Sequence, residues 1–176
     1  MSSTGRRYLI DSNVFIQAKL QTYRFEFCRG FWDWVEDAHA AGLVFSIDRV
    51  RAELLAGNEG DAARDWAGRL PNGFFVHDLK DPAVMHQYGK VISWSSENNQ
   101  YTTAAKRTFA RFDKADAFLI ACAMHHDFCI VSHEKASADA KKRIPIPNAA
   151  EAMGVNCMQI FDLLTNHACN TFEFKL

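Results

Sequence analysis

Short apolar runs recur along the chain, and between them lie longer segments with helical spacing. The runs at residues 8–10 (YLI), 43–47 (LVFSI), 128–132 (FCIVS) and 155–158 (VNCM) read as strands, and 73–79 (GFFVHDL) as a further strand or an extended link. Apolar groups at Phe27, Phe31, Trp34, Val35 and Ala38 predict an unusually aromatic helix that stops at Gly42. Asp48 caps a second predicted helix running to Gly57, and Pro71 ends another over 60–70. Helices are also expected over 82–94, 102–112 and 113–126, the last strongly apolar, and over 146–154, capped by Asn148, and 159–168. Strand and helix in alternation predict an α/β fold, a three-layer α/β/α sandwich around a mostly parallel sheet.

In such a fold ligands bind beyond the carboxyl ends of the strands, so the residues that end each strand carry the functional information. Strand one ends in Asp11, Ser12 and Asn13; strand two leads into a helix bearing Glu53; the 128–132 strand ends in Ser132, His133 and Glu134; the apolar helix opens near Asp116. Each acid has an ordinary explanation when taken singly. Asp11 suits an Asx-turn or N-cap, Glu53 is i,i+4 to Arg49, Glu134 borders a turn beside Lys135, and Asp113 with Asp116 would make a capping box. Gathered together, however, four carboxylates concentrate negative charge that only cations stabilise, and hard oxygen donors suit Mg²⁺ or Mn²⁺. His125 and His126, with His133 nearby, have no paired cysteine framework and, being adjacent, cannot share one helix face, so zinc is set aside.

At 176 residues the chain is expected to form a single domain, residues 1–176, with one sizeable core. The five cysteines, Cys28, Cys122, Cys129, Cys157 and Cys169, are odd in number and form no C-x-x-C pair, which fits a reduced cytoplasmic protein. No run is long enough to span a bilayer, and the polar start MSSTGRR lacks the apolar stretch of an export signal. A net charge of −1 gives no overall pull on nucleic acid, so a polyanionic partner would need clustered cations. Such clusters flank the acids: Arg6 and Arg7, Arg49 and Arg51, Lys106, Arg107, Arg111 and Lys114, and Lys141, Lys142 and Arg143.

With these residues in place the sequence resembles the PIN-domain nucleases, the superfamily that includes VapC-type toxins. YLIDSNVFI resembles their opening strand and aspartate, RVRAELL the glutamate helix, KADAFLIACAM the helix with the third acid, and IVSHEKA the fourth acidic segment. Within that superfamily the FWDW, SIDRV, VSHEK and IPIPNAAEAMGV blocks resemble an uncharacterised prokaryotic PIN-like family. Glu134 and Ser132 stand where typical toxins have Asp and Thr. The resemblance implies a divalent-metal-dependent endoribonuclease, the toxin of a toxin–antitoxin pair. Asp11, Glu53, Asp116 and Glu134 would be catalytic and would ligate Mg²⁺ or Mn²⁺, with Asn13 and Ser132 in support and Arg7, Arg49, Arg51, Arg111 and Lys114 binding RNA. The implied chemistry is in-line attack of a metal-activated water on a phosphodiester. Implied partners are RNA, an antitoxin and a second copy of the chain, the two proteins meeting any aromatics of 25–34 left exposed.

Two other classes stay open. A PIN-like module that binds RNA or protein without cutting would accommodate Glu134. A haloacid-dehalogenase-like phosphohydrolase would share the LIDSNVF motif but needs an aspartate where Asn13 stands.

Overall fold

The computed structural model describes residues 5–168. Five strands, β1 (Arg7–Ile10), β2 (Val44–Ile47), β3 (Phe75–Val76), β4 (Phe128–Val131) and β5 (Cys157–Met158), form one parallel sheet in the order β3-β2-β1-β4-β5. Leu9 is in register with Phe45 on one side and Ile130 on the other. The expected α/β sandwich is therefore observed. β1 is the central strand; the chain first builds toward β3 and then crosses to β4. The switch point, where a crevice opens at the carboxyl edge, lies between β1 and β4.

Nine α-helices among the described residues connect the strands. They are α1 (Ser12–Gln17), α2 (Arg29–Ala40), α3 (Asp48–Leu55), α4 (Ala62–Arg69), α5 (Pro82–Glu97), α6 (Thr103–Phe109), α7 (Asp116–His126), α8 (Ile146–Ala152) and α9 (Ile160–His167), with a π-helical turn at Ala18–Thr22. In α7 every residue from Ala117 to Ala123 is buried, as expected of a helix apolar on all sides. Its first residue, Asp116, lies at the carboxyl edge of the sheet. No helix of the described residues is long and apolar enough to cross a membrane. Cys28, Cys122 and Cys129 are buried free thiols, and Cys157 is a partly buried one; Cys169 lies outside the described residues. Burial raises the pKa of Cys122, Cys129 and Cys157, keeping them protonated.

The aromatic segment divides differently from its sequence pattern. Helix α2 begins at Arg29, and its inner face is Phe31, Trp32, Val35 and Ala38. Trp32, not Trp34, enters the core, where its Nε1 donates to Tyr23 O (2.7 Å) and Phe25 stacks on its ring at 4.0 Å. Phe27 precedes the helix and is 60% exposed. The stop at Gly42 is as expected. Gly42 has φ +75°, its N–H donates to His39 O (2.8 Å) and the N–H of Leu43 to Ala38 O (2.8 Å), a complete Schellman closure. Gly42→Ala is expected to cost about 1 kcal/mol, because an L side chain is disfavoured at positive φ. Urea denaturation would read this as a lower midpoint with an unchanged slope.

Three caps also differ. Asp48, expected as the cap of α3, is its first helical residue behind Ile47 and makes no cap bond, its carboxylate pairing with His77 instead. Asp113, expected to open the apolar helix, instead pairs with Arg111, and α7 starts at Asp116 behind Ala115 with no side-chain cap. Asn148, expected as the cap of α8, bonds Ser137 N (2.9 Å), Ser137 O (2.8 Å) and Tyr101 Oη (3.3 Å), tying the 134–145 loop to the body.

Candidate metal-binding and catalytic site

Asp11 follows β1 directly, and its N–H donates to Val131 O (3.0 Å), extending the β1–β4 ladder by one step. It occupies the N-cap position of α1, yet its carboxylate makes no cap bond. Instead it is 2% exposed and accepts from Ser132 Oγ (3.1 Å) across the switch point. Ser132 in turn accepts from Asn13 Nδ2 (3.1 Å) and from the N–H of Glu134 (3.1 Å). Asn13 Oδ1 takes the N–H of His133 (3.2 Å). Segments more than a hundred residues apart are thus pinned by one polar network, in which Asn13 and Ser132 orient Asp11.

The remaining acids approach from the helices. Glu53, on the second turn of α3, accepts from Ser12 Oγ (2.6 Å), not from Arg49. Asp116 is the first residue of α7, where the helix dipole favours an anion but burial opposes it. Burial, the largest cause, together with the charges of Glu134 and Glu53, pushes its pKa up to about 6. Asp11 is pushed up to about 8 by burial first and then by Asp116 and Glu134. Asp11 and Asp116 therefore each sense acidic neighbours at one edge of the sheet. They are not drawn tightly together: among the described residues, three acid, histidine or cysteine ligand atoms come within 4.8 Å of one another only at Asp81, His125 and His126.

Glu134 shows why the cluster is open. One of its oxygens is held by Arg143 and the other accepts the N–H of Ile146 (2.8 Å), at the start of α8. Sequence reasoning missed Ser12 as the partner of Glu53 and Arg143 as that of Glu134. The adjacency of Ser12 to Asp11 was the available sign for the first; an interaction nine residues along an irregular loop left none for the second.

The expected cations separate into two groups. Lys114, Lys142 and Arg143 line a cleft of about 270 Å³ whose acidic members are Asp116 and Glu134. Arg111 is exposed but paired with Asp113, and Arg51 is exposed over the Phe75 ring. Arg7 lies at the opposite, amino edge of the sheet, bonded to His126 O (2.8 Å) and stacked over Phe128. Its Cα is about 13 Å along the strand from that of Asp11. Arg49 is turned inward: its side chain is 11% exposed, paired with Asp78 (3.7 Å) and laid 3.7 Å from the Phe118 ring centre. The expectation that Arg7 and Arg49 flank the acids is thus corrected, because each is taken by a partner in the fold. Larger hollows of about 330 and 380 Å³ lie beside Arg6 and Arg7 and beside Arg51 and His77, away from Asp11 and Asp116.

No curated protein matches the chain. Among solved structures, it is similar to one titled as the crystal structure of FitAcB from Neisseria gonorrhoeae, at 15% identity over 85% of this chain and 95% of that chain, with a TM-score of 0.45. The family model described as a domain of unknown function, DUF4411, matches residues 8–171, and the chain belongs to that family.

Proposed function

We propose that this chain is a PIN-type, divalent-metal-dependent endoribonuclease. The observation that carries the reading is the convergence of Asp11, which is buried, and Asp116, which is half-buried, at the carboxyl edge of the sheet, where burial and neighbouring acids oppose the ionisation of each. Such a donor set is all oxygen, hard and short of positive charge, which fits Mg²⁺ or Mn²⁺. Asp11, Glu53 and Asp116 would hold the ion, and Glu134 would add its field while remaining tied to Arg143 and α8. A bound divalent ion supplies the lowered pKa of water and the charge neutralisation that phosphodiester hydrolysis requires.

The protein's own groups do the rest. Ser132 and Asn13 fix the Asp11 carboxylate, Ser12 fixes Glu53, and the rigid start of α7 fixes Asp116. Lys114, Lys142 and Arg143 supply the cationic wall along which a phosphate backbone would lie beside the acids. A toxin role with an antitoxin or a second copy as partner is part of the same proposal, with the exposed Phe27 and Leu20 as the apolar side chains such a partner would cover.

The test is incubation of the purified chain with mixed RNAs in Mn²⁺, in Mg²⁺ and in EDTA. Internal cleavage that EDTA abolishes is expected; tight RNA binding without cleavage would favour the binding module, and phosphate release from small phosphomonoesters the phosphohydrolase. Lys142→Gln is expected to weaken RNA binding about 3–10-fold, uniformly across sequences, and to lower the salt slope by about one. Titrations at several salt concentrations would read both effects.

A further inference from the structure

At the far end of α7 from Asp116, roughly 15 Å along the helix axis, a second cluster of ligand-bearing side chains forms. Asp81 caps α5: its Oδ1 accepts the N–H of Ala83 (2.8 Å), which fixes the carboxylate and leaves Oδ2 facing His125 Nε2 at 3.6 Å. That separation is too long for a hydrogen bond. Two ligand atoms on one tetrahedral zinc, each about 2.0–2.1 Å from the metal, stand about 3.3–3.4 Å apart, close to what is seen. One ligand atom from each of Asp81, His125 and His126 falls within 4.8 Å of the others.

The adjacency that argued against paired histidines on one helix face loses its force here. His125 and His126 are the last residues of α7, Asp127 turns the chain into the left-handed region (φ 56°), and the imidazole centres lie 4.5 Å apart at 64°. The third donor comes from a different helix. A second observation points to a ligand: His126 Nε2 is shielded from solvent and has no hydrogen-bond partner among the described residues. The nearby Arg7 guanidinium is engaged by the His126 carbonyl.

We propose that Asp81, His125 and His126 form a three-ligand site for a borderline divalent cation of the Zn²⁺ class, tying the start of α5 to the end of α7. Two imidazoles and one carboxylate select Zn²⁺, Co²⁺ or Ni²⁺ over Mg²⁺. His125 is exposed, so the remaining coordination position opens to solvent. The site is independent of the acidic one.

Zn²⁺ titration of the untagged full chain against a chromophoric chelator tests this, run in an Asp11→Asn background so that the acidic cluster does not compete, with Co²⁺ absorption as a spectroscopic check. One equivalent of Zn²⁺ is expected to bind, undisplaced by millimolar Mg²⁺. His125→Gln and Asp81→Asn are each expected to weaken it at least about tenfold. Asparagine retains a cap acceptor and His125 is exposed, so melting of both variants in chelator is expected to match the parent. Zn²⁺ affinity unchanged in both variants, or no stoichiometric binding by the parent, would overturn the site.

Discussion

Asp11→Asn is expected to abolish metal-dependent RNA cleavage while making the metal-free protein more stable at pH 8. The two effects share one cause. The native environment opposes ionisation of Asp11, so its pKa is pushed up to about 8 in the folded chain, against 3.8 for an unhindered aspartate. Between those values the folded chain holds a proton that the unfolded chain releases. The associated stability is in full effect below pH 3.8, declines as the unfolded chain ionises, and is gone once the pH passes the folded value of about 8. Asparagine keeps the shape and removes the titration. At pH 8 the gain is up to about 5 kcal/mol, or roughly 10–20 °C in Tm. Near pH 4 the two proteins should melt alike.

Activity moves the other way. Loss of an ion-binding carboxylate removes several kcal/mol of transition-state stabilisation, about a 10³-fold loss in rate. Scanning calorimetry across pH, with and without Mn²⁺, separates the cases: Mn²⁺ is expected to raise the Tm of the parent at pH 8 and to leave the variant unmoved. A variant melting at the parent's temperature at pH 8 would remove the charge crowding on which the ribonuclease reading rests.

Arg49→Met is expected to destabilise the fold by about 3–5 kcal/mol and to leave RNA affinity unchanged. Asp78 is 1% exposed, and the Arg49 guanidinium is the charge that offsets its burial, aided by the Arg49 N–H (3.0 Å). Methionine preserves much of the contact with Phe118 but strands the carboxylate. The double variant Arg49→Met, Asp78→Leu is expected to recover most of the loss, since no unpaired charge remains. Denaturant melts of the three variants complete the cycle. An RNA affinity that falls in Arg49→Met at a temperature where it remains folded would return this arginine to the nucleic-acid surface.

The contrast between Arg49 and Asp116 shows what a single sequence reveals. Strand positions were legible because each apolar run is bounded by polar or turn residues, and the parallel arrangement followed from their alternation with helices. Asp11 and Asp116 were legible as strand-end and helix-start acids, since that architecture sends such positions to one edge. Which way a long side chain turns was not legible. Arg49 finds Asp78 29 residues away, Glu134 finds Arg143 across a loop, and Arg7 folds onto the end of α7. Those choices depend on burial and on neighbours supplied by other elements, whereas local pattern reports only which face a residue occupies. The capping-box reading of Asp113 and Asp116 failed for the same reason, because Arg111 competes for Asp113.

The central position of β1 has a consequence for synthesis of the protein. Asp11 leaves a ribosome more than a hundred residues before Ser132, which orients it from the far side of the β1–β4 junction. Until β4 docks, a growing chain carries the acids without the frame that aligns them. On the proposed ribonuclease reading, hydrolytic capacity would then arise only after β4 has cleared the exit tunnel and docked beside β1.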